Sequence, residues 1–289
     1  MIRLDAATVL LQWATGGLLF LWVTTRRREL GIGYGWLLRS VFGLIAVGAF
    51  VAGRQLRPDT FRDVCALATA GAAGVALIVS IVRRRAGVAG ERARRRRKQA
   101  RVAAMVGDTG VEDPSGAGAE AGRGAEFPPA LDLVAPIIGT AGLLAAALAA
   151  GGPEGLAIAR TLVGAAFLGA VTDAMLLGHW YLVQPGLGRA PIFELVYWVG
   201  GLWPLEVAVL IWPTGMLSVL SGTVDDGWNG TLGWFWVACA VSTVVLVWVT
   251  NAALKEKEYS AVMAATGLLY LAILTAFGTD LVARAVLTS

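Results

Sequence analysis

The chain has 289 residues, 57% of them hydrophobic and 15% charged, and its mean hydropathy is +0.68. A water-soluble domain of this length carries far more charge, so composition excludes an ordinary soluble fold and asks for lipid around the chain. The formal net charge of +4 sits largely in one central segment.

Eight apolar stretches are long enough to cross a bilayer, which takes roughly 20 residues. They run near 8–24, 34–53, 64–82, 131–150, 158–177, 192–212, 232–250 and 262–277. The predicted fold class is therefore all-α, a polytopic transmembrane helical bundle of about eight spans. The 37 glycines allow close helix approach within such a bundle, and the 11 tryptophans suit headgroup depth. The first stretch ends in Arg26-Arg27-Arg28 rather than a small-residue cleavage site, so it reads as a retained helix and not a signal peptide.

The segment between the third and fourth spans divides the chain. Residues 1–85 form a first membrane part of three helices. Residues 86–130 form a linker, basic and then flexible, on the cytoplasmic side, and residues 131–289 a second membrane part of five helices. The linker opens with Arg92, Arg94, Arg95, Arg96, Arg97 and Lys98, a polybasic run expected to meet anionic lipid beside the bilayer. It lacks any recognisable nucleic-acid fold, so no nucleic-acid partner is expected.

Alternation of eight spans puts Arg26–Arg28, the linker, Arg189, Lys255 and Lys257 on one side. The positive-inside rule makes that side cytoplasmic and both termini extracytoplasmic. The arginine- and alanine-rich usage points to a bacterial inner (plasma) membrane. Arg54, Arg57 and Arg62, between the second and third spans, and Arg160, at the outer end of the fifth, run against this scheme.

Ionisable groups within spans are costly and usually face a protein interior or a cavity. Asp173 lies in the fifth span, and the one histidine, His179, follows it with Trp180 and Tyr181 at the helix end. Thr172, Met175 and His179 share a helical face, whereas Asp173 does not share it. Glu194 opens the sixth span and Arg39 the second, with Glu29, Asp173 or Glu194 as candidate partners for Arg39. Glu206 follows Trp203-Pro204-Leu205; the proline frees a carbonyl one turn earlier, and a carboxylate beside a kink suits an ion or proton. Arg62, Asp63, Asp132 and Asp280 read as span boundaries.

A single histidine rules out a bis-histidine haem, and the two cysteines, Cys65 and Cys239, fall short of an iron–sulfur or structural zinc set. No haem or iron–sulfur cluster is expected to be ligated by this chain alone, and a bound quinone is the cofactor to consider. No nucleophile–base pair stands out, so the sequence does not decide whether the chain is an enzyme.

Three functions stay open. One is a non-haem integral membrane subunit of a respiratory or electron-transfer complex, anchoring other membrane or redox subunits. Its quinone contacts would be His179, Tyr181, Asp173, Arg39 and Glu194. Another is a proton-coupled small-solute or ion transporter or channel, working through Glu206 and Asp173. The third is a structural subunit or assembly factor.

Overall fold

A computed structural model describes residues 4–106, 125–184 and 187–287. Residues 107–124, the expected flexible stretch, and the side chain of Lys98 lie outside the described residues. Within them the chain is all-helical, and eight helices are long and apolar enough to cross a membrane.

These eight are α1 (Ala6–Thr25), α2 (Ile32–Leu56), α3 (Thr60–Val82), α5 (Val134–Ala149, preceded by a 3-10 turn Pro129–Leu133), α6 (Glu154–Val183), α7 (Ala190–Ile211), α9 (Thr231–Lys255) and α10 (Tyr259–Val286). Two more complete the set: α4 (Arg84–Val106), which carries the polybasic run, and the short α8 (Gly215–Leu220). Asp5 and Asp59 cap α1 and α3 by accepting from the amides of Thr8 (3.2 Å) and Arg62 (3.0 Å), satisfying donors that a helix start leaves open.

The bundle is built around α1 and α6, each with 72% of its spanning window buried, against at most 39% in the other six. α2, α3 and α5 group with α1, and α7 and α10 pack on α6, with α9 set against α10 and α7. The linker's division of the sequence into three helices and five thus becomes four and four in space, because α5 returns to pack on α1 and α3.

The seam is made by glycine. Gly16 of α1 faces Ala165 and Gly169 of α6 so closely that a Cβ at either glycine would overlap the opposing backbone. This is the small-residue contact by which helices pack without a hydrophobic driving force. Leu21, Phe42, Phe167, Leu177, Ile192 and Leu269 fill the core on both sides of it.

The outside of the bundle is as apolar as its inside. Leu44, Ile78, Ile137, Trp248 and Leu274 are exposed, while Arg39, Arg62, Asp63, Asp173, Glu206 and Asp280 are buried. An aqueous monomer does not present so much apolar helix surface; in hydrocarbon the same distribution is the favourable one. Cys65 and Cys239 are both buried and free.

Candidate buried charge site

The N-termini of α1, α3, α6 and α9 and the C-termini of α2, α5, α7 and α10 lie on one face of the bundle, here the N-terminal face; the opposite, basic face carries α4. About six residues in from the N-terminal face, roughly 9 Å at helical rise, four helices each turn a polar side chain inward. These are Gln12 of α1, Arg160 of α6, Glu206 of α7 and Asp280 of α10, with Arg284 one turn on from Asp280.

Each has a local reason to be there. Asp280 and Arg284 are an i, i+4 pair on α10, joined through Nε–Oδ2 at 2.6 Å and Nη2–Oδ1 at 3.0 Å, the bidentate geometry of a strong charge-assisted pair. Arg160 donates to the carbonyls of Val209 and Trp212, both at 2.8 Å; it thereby caps the end of α7, where carbonyls lack intrahelical donors. Gln12 donates through Nε2 to Thr161 O at 2.7 Å. Gly164 is the point where these converge: a Cβ there would lie 2.9 Å from Asp280 Oδ1, 3.1 Å from Gln12 Nε2 and 3.3 Å from Arg284 Nη2.

Glu206 completes the cluster. It is fully buried, and neither carboxyl oxygen accepts a hydrogen bond. Asp280, Arg284 and Arg160 are its charged neighbours. Two carboxylates side by side are both acceptors, so only an added proton supplies a donor between them. Two arginines against two acids make a neutral set when both acids are ionised, and each proton taken up changes its charge by one.

A polar cavity of about 220 Å³ reaches this set from the N-terminal face. Asp5, Thr8, Arg62, Thr161 and Arg284 are among its lining residues. At its mouth the buried Arg62 pairs with Asp5 and with Asp63 (2.9 Å), and donates to Arg57 O at 2.6 Å. A second cavity of about 360 Å³, between α1, α5 and α6, has no titratable group in its lining.

The other residues expected from sequence fall in different places. Arg39 is bound bidentately by Asp132, both bonds at 2.7 Å, under the ring of Phe127 at 4.4 Å. Its partner is thus none of the three expected, because the segment after the linker folds back onto α1. Glu194 pairs with Arg26 and Arg27 at the basic face. Tyr181 is buried and donates to Gly188 O. Asp173 is fully buried, with both oxygens unpaired. His179 is exposed, its Nδ1 3.2 Å from the hydroxyl of Tyr270. His179, Arg39 and Glu194 are therefore engaged separately, each with a different partner.

Glu206 stood out in the sequence, but its neighbours did not. Asp280 was expected to mark the end of a span, and α10 instead continues six residues beyond it. The i, i+4 spacing of Asp280 and Arg284 was the available signal. Arg160 and Arg62, both at odds with the charge rule, proved to be interior residues. No family model, no curated protein and no solved structure matches the chain.

Proposed function

We propose that this chain is a multi-pass membrane protein of the bacterial plasma membrane that couples proton binding at Glu206 and Asp280 to passage of a small solute or ion. The observation that carries the reading is Glu206 itself: a wholly buried carboxyl with no hydrogen-bond donor, beside a second carboxyl, beneath a polar cavity that ends at Arg284. Buried acids of this kind mark ion and proton pathways in membrane helices.

The basic face is cytoplasmic in this reading. Arg92, Arg95, Arg96 and Arg97 are exposed on α4, available to anionic headgroups. Protons then enter from the extracytoplasmic side through the cavity at Arg62. Solid-supported membrane electrophysiology on the reconstituted chain tests this. An acid step should give a charge displacement that Glu206→Gln loses; a current equal in the variant would overturn it.

A second reading, a subunit that contacts a quinone and redox partners, draws on one observation. His179 and Tyr270 are joined to each other yet both exposed on helices otherwise clad in apolar side chains, so they offer polar groups to a quinone head or a partner helix. Purification in native lipid with stoichiometric redox subunits, or with quinone lost in His179→Phe, would move the weight to it.

A further inference from the structure

α6 carries a buried acid, Asp173, far from this cluster. Asp173 is 13 residues beyond Arg160 on the same helix, about 20 Å along the axis, in the half of the bundle nearer the basic face. Nothing donates to either of its oxygens. The hydroxyl of Tyr34 on α2, also fully buried and making no hydrogen bond, lies near Asp173 and Tyr181 and beside the hydroxyl of Thr24. Two of those neighbours are already committed. Thr24 donates to the carbonyls of Phe20 and Leu21 at 3.0 and 2.9 Å, and Tyr181 to Gly188 O. That leaves one free donor, the Tyr34 O–H, and two free acceptors on Asp173.

Between the two acids α6 itself is apolar. Residues 165–171 of α6 include no polar side chain. Ala165, Phe167, Leu168, Ala170 and Val171 are buried, and the Gly16–Gly169 crossing closes the gap backbone to backbone. The cavity from the N-terminal face reaches Arg284 and Thr161 and has no residue of this layer in its lining.

We propose that Asp173 with Tyr34 forms a second proton-binding station, on the basic-face side of this apolar stretch of α6, so that the chain holds protons at two separate sites. This rests on the reading of the chain as a proton-handling protein. A proton fits the site better than a metal cation. One added proton neutralises Asp173 and leaves an acceptor oxygen to which Tyr34 can donate, whereas a hard cation takes six or more oxygen ligands. No group of three metal-ligating side chains occurs among the described residues.

The test is infrared difference spectroscopy of the full chain in lipid nanodiscs across a pH step. Two carboxylic C=O bands are expected. Glu206→Gln should remove one and Asp173→Asn the other. Tyr34→Phe, which alters no charge and barely changes shape, should shift the Asp173 band alone, and it keeps the question answerable if Asp173→Asn does not fold. An Asp173→Asn spectrum identical to wild type overturns the station, as does a Tyr34→Phe spectrum with both bands in place. Loss of the Asp173 band on adding Na⁺ at fixed pH would make it a cation site instead. Both bands present in a protein that gives no proton current would sink transport and leave the station standing; a normal current with no Asp173 band would do the reverse.

Discussion

Arg39 shows what a buried charge costs and how it is kept. It is 4% exposed, and its guanidinium is held by both oxygens of Asp132. Removing one partner leaves the other charged and unpaired in an apolar interior, which costs about 3–5 kcal/mol, whereas replacing both with apolar residues is often neutral. Arg39→Ala and Asp132→Ala should each lower the thermal midpoint in detergent markedly, and Arg39→Met combined with Asp132→Leu should recover most of the loss. Arg95–Glu91, exposed on α4, should contribute little, since a solvated pair is screened. The sequence showed that Arg39 needed an acid but could not say which. The true partner lies 93 positions away, and helical spacing relates only residues on the same helix. The same limit hid the juxtaposition of Glu206 and Asp280, which the contacts of α7 and α10 with α6 create.

Helix existence was legible, and helix ends less so. Each apolar run became a helix, but α6 extends from Glu154 to Val183, past both ends of the expected 158–177, because polar residues at the margins are helical too and hydropathy cannot see them. The Gly16–Gly169 crossing was legible only as glycine content. Adding a methyl group where backbones touch forces the helices apart, at about 1–3 kcal/mol. Gly169→Ala should therefore destabilise the protein. Gly71→Ala, at a helical position with nothing within 4 Å of the added carbon, should be neutral or gain up to about 1 kcal/mol from helix propensity. Chemical unfolding of the two variants in the same lipid checks this.

The loop before α9 makes a pH prediction. Partial burial opposes ionisation of Asp226, but amides of Gly230, Trp228, Leu232 and Gly233 together outweigh it and hold the carboxyl below its usual range. A depressed native value means that this stabilisation is present above the unfolded value, near 3.9, and is lost as pH falls through the lower native one. Amide hydrogen exchange at 227–233 should accelerate in strong acid in the wild type, and already be fast at neutral pH in Asp226→Ala.

For the whole molecule, eight helices and their charge asymmetry were the most readable features. Two of the four basic residues that contradicted the asymmetry were never loop charges: Arg62 and Arg160 are buried, while Arg54 and Arg57 remain exposed exceptions. The proposed orientation, with the basic face cytoplasmic, puts both termini outside. Alkaline phosphatase fused after Ser289 should be active in cells and a fluorescent protein at the same point dark; the opposite pattern would invert the topology. The buried charge cluster was not readable from sequence, because it is assembled from α1, α6, α7 and α10 and resembles no motif along the chain.

Proton flux into proteoliposomes tests the central claim most directly. A potassium diffusion potential drives it, an internal pH dye reads it, and wild type is set against Glu206→Gln and Asp280→Asn. Wild type should give flux well above protein-free vesicles, falling about a hundredfold or more in both variants, the scale at which a positioned proton-transfer group acts. Wild-type flux no faster than empty vesicles, with or without added small solutes, or flux unchanged when Glu206 loses its acid, would contradict it.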